Sequence, residues 1–93
     1  LATASLEGAD FSGANLSGAD LSGTIMMSAI FNGANLSLSK FDGANVQGAS
    51  FKDARFVGAN LTGLIGWREA NFEGACASNS TLLPLGLHLS DCE

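Results

Sequence analysis

Cys76, His88, Asp91 and Cys92 are the residues of this chain whose types could together hold a metal ion. Zinc sites take thiolate, imidazole and carboxylate ligands, usually in close pairs such as C-x-x-C. The chain has no such pair, and His88 is its single histidine. Pro84 and Gly86 interrupt the segment, so the spacing suits an ordinary tail better than a metal centre. The two cysteines offer a second chemistry. A disulfide between Cys76 and Cys92 would tie the tail over the end of the chain. Closing a loop of that length contributes on the order of 3 kcal/mol in the chain-entropy account. Such a bridge implies an oxidising compartment, a periplasm or a thylakoid lumen. Two free thiols in a cytoplasmic protein are the alternative.

Ser12, Ser17, Ser22 and Ser37 each follow a large apolar residue. A serine nucleophile needs a base beside it, and none recurs at these positions. Hydroxyls so placed suit turns, where they bond the local backbone. The glycines do not make a phosphate loop, because they return every fifth residue and no Lys follows them. The chain is therefore expected to be no enzyme, with no catalytic or metal-binding residue and no cofactor.

The apolar residues set the frame around these groups. Phe11, Phe31 and Phe51 are evenly spaced, and Phe72 comes one residue late. Between them an apolar residue falls on every fifth position from Leu6 to Leu61. Two places before each stands a small residue, Ala throughout except for Thr24 and Ser39. The residue between is often Asp or Asn, and Gly often closes the unit. A period of five fits neither a helix nor a flat strand. It fits a chain wound into a square coil, with one unit per side. Large and small apolar side chains then fill the axis, and Gly supplies the positive φ of tight corners. One unit cannot bury its own apolar face, whereas stacked coils can.

This winding predicts columns. Leu6, Met26, Val46 and Trp67 stack on side one, and the four phenylalanines on side two. Leu16, Leu36, Phe56 and Ala77 follow on side three, with Leu21, Phe41, Leu61 and Leu82 on side four. Coils should lie about 4.8 Å apart, so roughly four of them stand about 20 Å tall. The late Phe72 places an extra residue near Leu64.

The runs Gly-Ala-Asp-Phe-Ser, Gly-Ala-Asn-Leu-Ser and Gly-Ala-Asn-Leu-Thr resemble the pentapeptide repeat family. The resemblance covers residues 4 to 77. It implies an all-β fold, a right-handed four-sided parallel β-helix of roughly four coils with a C-terminal cap. Residues 1–78 would form the β-helix and 79–93 the capping segment. In the cap, Leu82, Leu83, Leu85, Leu87 and Leu89 should fold over the column end. Some members of the family resemble DNA in shape and charge and bind type II topoisomerases.

A net charge of −5 with four Lys and Arg argues against nucleic-acid binding and against adhesion to anionic membranes. DNA mimicry needs acids in continuous columns, whereas Ile30 follows Asp10 and Lys40 follows Asp20 one coil on. Asp20 with Lys40 and Lys52 with Glu73 are expected cross-coil ion pairs. No apolar run is long enough to insert in a membrane. Residue 1 is Leu, not Met, which suggests a processed or truncated chain whose lost segment could have been a targeting peptide. Ile25, Met27 and Ile30 interrupt an otherwise polar surface and form a candidate partner patch; a degenerate repeat is the alternative. Trp67 is too large for its slot and is expected to roof the column. The bare first coil is a pairing hazard that would allow an end-to-end homodimer. The function expected is a structural or protein-interaction module for an unknown protein partner. The alternative is a DNA-mimicking inhibitor of a type II topoisomerase.

Overall fold

The computed structural model describes residues 4–92. Leu1, whose identity suggested a trimmed start, and the outer limits of the two expected segments lie outside the described residues. Each five-residue unit closes with a turn. Ala9 N–H donates to Leu6 O at 3.0 Å, and Gly8 between them has φ 72°. Type II turns require positive φ at that third position, which Gly adopts without steric cost. Three units hold a side chain there instead: Ser28, Leu38 and Asp53, at φ 63°, 61° and 60°.

The residue before each large apolar centre forms a single-residue bridge to the next coil. Four parallel ladders result: Ser5–Ile25–Asn45–Ile65, Asp10–Ile30–Ser50–Asn71, Asn15–Asn35–Arg55–Cys76 and Asp20–Lys40–Asn60–Leu82. A bridge residue aims both backbone groups at the coil before it. Ile30 N–H donates to Ala9 O at 2.8 Å, and Ile30 O accepts from Phe11 N–H at 2.6 Å. The product is a right-handed, four-sided β-helix.

Its core is a column. Phe11, Phe31, Phe51 and Phe72 stack with ring centroids 5.2, 5.1 and 5.1 Å apart and planes within 10° of parallel. Phe41 and Phe56 meet the stack at steeper angles. Thr24 and Ser39 fill buried small-residue slots, where their hydroxyls donate to Leu21 O at 2.7 Å and Leu36 O at 2.5 Å. Burial of these polar groups is therefore compensated. From Leu21 to Leu61 the large centres are fully buried. In the first coil Leu6, Phe11 and Leu16 are only half-buried, because no described residue covers that end.

Two columns differ from the expected ones. Ile65 still pairs with Asn45, but Asn71 pairs with Ser50. The extra residue therefore lies in the 3-10 turn Trp67–Glu69, not at Leu64. Leu64 takes a small-residue slot and is buried there. Gly66, with φ 76°, follows Ile65 where the side-one centre should be. A Cβ on it would lie 2.9 Å from Gln47 Cβ, so the chain must bulge, and Trp67 leaves the column. A second extra residue falls in the Ser78–Thr81 turn. Thr81 fills the small slot and donates to Phe56 O at 2.7 Å. Leu82 is consequently an outward bridge residue, 53% exposed, and Leu83 packs against the core in its place.

The tail then crosses the column end. β1 (Cys76–Ala77) pairs in parallel with β2 (Ser90–Asp91), and Cys92 N–H donates to Ala77 O at 2.8 Å. Leu87 is buried and Leu89 packs on the core, but Leu85 points to solvent at 97% exposure and takes no part in the cap. The turn at Gly86 lies over Trp67: a Cβ there would be 3.5 Å from Trp67 Cη2. Trp67 is thus half-buried between column and tail.

Candidate functional site

The outer wall is built from capped corners. Asp10, Asn15, Asp20, Asn35, Asn45, Asn60 and Asn71 each accept, through Oδ1, the N–H two residues on, at 2.9–3.2 Å. These are Asx turns. The recurrent Asp or Asn before each centre was the available signal for them, and sequence reasoning gave the turn to the serines instead. Ser12 and Thr62 donate their hydroxyls as well as their N–H groups to the same oxygen. Ser50 has no such acceptor of its own, and Asn32 of the preceding coil accepts from its hydroxyl and from Lys52 N–H.

The caps also set the electrostatics. The Ser12 hydroxyl and N–H hold the Asp10 carboxyl below the usual Asp value. Ser22, by side chain and backbone, does the same for Asp20, and Lys40 adds a smaller effect. Asp20 and Lys40 are ladder neighbours, yet the carboxylate is turned to its own corner. The acids form no column: Ile30 and Ser50 follow Asp10, and Lys40 and Asn60 follow Asp20.

Ile25 and Ile30 stand in ladder slots that Asp or Asn fills on other coils, so their corners lack the side-chain cap. Ile25 is 47% exposed, and Ile30 and Met27 are half-buried beside the buried Met26 and Phe31. The three share one corner of coil two. Ile65, exposed in the same ladder as Ile25, is separated from it by Asn45.

At the bulged corner the Arg68 guanidinium carbon lies 4.5 Å from the Trp67 ring centroid, a cation–π contact. Leu64, Gly66, Trp67, Arg68 and Glu69 line a shallow cleft of about 190 Å³. Ligand pockets usually start at about 300 Å³. Among the described residues no group of three or more His, Cys, Asp or Glu could hold a metal ion. No helix of the described residues is long and apolar enough to cross a membrane. Cys76 and Cys92 meet at the column end with their sulfurs 2.00 Å apart, and His88 is exposed.

A family profile described as Pentapeptide repeats matches residues 4–43 and 29–63, with eight copies. No curated protein matches the chain significantly. A solved pentapeptide repeat protein from the cyanobacterium Cyanothece 51142 is 32% identical over 89% of this chain and 56% of that one, with a TM-score of 0.86. A pentapeptide repeat protein from the Arabidopsis thaliana thylakoid lumen is 32% identical over 89% of this chain and 60% of that one, TM-score 0.46. One from Nostoc PCC 7120 is 26% identical over 90% of this chain and 77% of that one, TM-score 0.48. The chain thus spans less than two thirds of the first two.

Proposed function

The chain belongs to the pentapeptide repeat family, and from that premise we propose that it is a non-enzymatic protein-interaction module. Its partner, an unidentified protein, sits on the corner formed by Ile25, Met27 and Ile30. One observation carries this reading: two ladder slots that cap their corner elsewhere are given to isoleucine, at the cost of two hydrogen bonds, and one of the two, Ile25, is 47% exposed. An oxidising compartment, periplasm or thylakoid lumen, goes with the Cys76–Cys92 pair. A topoisomerase inhibitor that mimics DNA would want acids in line, and the ladders put Ile30 and Lys40 in their way.

The test is capture from the native source with Ile25→Asn/Met27→Ser/Ile30→Asn beside the wild type. Asn at the two ladder slots supplies the missing caps, so the fold should keep its stability. A partner recovered by the wild type and lost by the variant supports the reading. Equal recovery by both overturns it.

A further inference from the structure

Four departures from the repeat converge on one corner, diagonally across the square coil from Ile25 and Ile30. From Gly8 to Gly63 the positive-φ residue of each unit is Gly except at Ser28, Leu38 and Asp53, and Leu38 is the one apolar side chain among them. A bulky residue at φ 61° is a backbone outlier. Residues held that way cluster at ligand clamps and other functional positions. Leu38 is nevertheless 64% exposed. Its N–H donates to Val57 O at 2.8 Å, so Val57 stands directly on the next coil. Val57 is half-buried, in a slot that is polar in every unit from Glu7 to Thr62 except at Met27.

Arg55 leads into this corner, and Lys40 leads out of it one coil earlier. Both fill ladder slots, in which Asn35 and Asn60 accept the N–H two residues on. A cation cannot accept a hydrogen bond, so both caps are given up. The two are exposed, and they are the only cations in the ladder slots from Ser5 to Asn60. No Asp or Glu occurs on this corner in any coil, in residues 15–19, 35–39, 55–59 or 76–81. Asp20, beside Lys40 in its ladder, accepts from Ser22 on its own corner, and Asp42, two residues past Lys40, leans on Gly63. The chain as a whole carries a net charge of −5. An acidic ligand is therefore repelled by most of the surface and attracted here.

We propose that the Leu38 corner is a second interaction surface, which binds an acidic segment of a partner protein anchored by one apolar side chain. The anchor covers Leu38 and Val57. Carboxylates on either side of it meet Arg55 and Lys40, and the Arg55 guanidinium can take one of them through two parallel hydrogen bonds. Two cations on a small corner do not make the basic stripe that nucleic acid needs, nor the basic cluster that holds an anionic bilayer. With Ile25, Met27 and Ile30 on the opposite corner, the coil would hold two partners on two sides of one rigid column.

The probe is a library of random ten-residue peptides displayed on phage and selected on the full chain. Selection should enrich peptides with an apolar residue between Asp or Glu, and raising salt should weaken their binding. Lys40→Asn/Arg55→Asn should weaken it about tenfold through lost charge. Leu38→Gly should weaken it about tenfold through lost apolar contact. Both variants should keep or raise the denaturation midpoint, because Asn restores the caps and Gly is at ease at positive φ. The proposal is overturned by a selection that enriches nothing or enriches peptides without acids, and by equal binding to the variants. A clearly lowered midpoint for Leu38→Gly also overturns it, because Leu38 would then serve to pack on Gly58. So does light scattering that shows a dimer of the wild type which Leu38→Gly dissolves, because a second copy would then be the occupant. Ile25→Asn/Met27→Ser/Ile30→Asn should bind the selected peptides as the wild type does, so this proposal and the partner reading above fail separately.

Discussion

Asp10 and Asp20 hold their corners through hydrogen bonds to the charged carboxylate, and the fold is expected to lose stability in acid. Each carboxyl titrates below the usual Asp value when folded. A depressed value contributes stability that is present above the unfolded value and lost as pH falls through the folded one. Urea denaturation should therefore show stability falling as pH drops below about 4, where free Asp titrates. Asp10→Asn/Asp20→Asn should flatten that acid limb, and an unchanged limb would assign it to other groups. The positive-φ corners make a second prediction. Each side chain placed there leans toward the next coil, and Gly answers it: Gly48 over Ser28, Gly58 over Leu38, Gly74 over Asp53. A Cβ on Gly74 would lie 2.1 Å from Asp53 Oδ1, whereas one on Gly13 meets nothing within 4 Å. Both Ala substitutions carry the left-handed penalty of about 1–2 kcal/mol. Gly74→Ala should cost more than Gly13→Ala, and the excess should shrink in an Asp53→Gly background. Equal costs in chemical denaturation would remove the steric argument. The sequence showed that Gly recurs at corners, but which glycines face a side chain depends on neighbours a whole turn away.

At the scale of the element, the phenylalanine column follows from its spacing and the structure keeps it. Phe31 is fully buried, with Phe11 and Phe51 at 5.2 and 5.1 Å. Phe31→Ala should cost about 3–5 kcal/mol in denaturant unfolding. Phe11→Ala, at the half-exposed base, should cost less. Near-equal costs would mean that the end of the column is covered in solution. The regular sides were legible because inward positions tolerate only small or large apolar residues, which fixes the period. Of the two extra residues, one was set near Leu64 and the other was not foreseen, because periodicity reports only that the frame has slipped between two clear centres. Trp67 looked like a centre because it is large and apolar. Gly66, unable to accept even a Cβ above Gln47, decides the matter, and only the neighbouring coil reveals that. Leu82 misled in the same way, since Thr81 does the work of a small apolar residue once its hydroxyl reaches Phe56 O.

For the molecule as described, extents of 31 × 25 × 23 Å leave it little longer than wide. The sealed end depends on a two-residue strand pair and the meeting of Cys76 and Cys92. Mass measurement without reductant should give a chain lighter by the two thiol hydrogens, and two freely alkylated thiols under oxidising conditions would remove the argument for an oxidising compartment. Reduction should speed amide exchange at Asp91 and Cys92 while Phe31 and Phe51 stay protected. Replacing both cysteines with Ser should cost about 3 kcal/mol. Pro84 and the loss of the repeat suggested a cap from residue 79, whereas the fourth ladder runs on to Leu82. The route of the tail was not legible, because which leucines turn inward depends on where the column ends. Leu85 is left in solvent while Leu87 is buried.

The twenty-residue turn seen in ladders such as Ser5–Ile25–Asn45–Ile65 also constrains how such a gene can change length. Gaining or losing a full turn of codons inside the regular coils slides one layer in or out and leaves every column aligned. Gaining a single unit rotates all that follows by a quarter turn, setting Phe over Leu. Lengthening by whole layers is thus the change that selection can accept, whereas a lone extra unit must be absorbed at a corner, as the single residues near Trp67 and Ser78 have been.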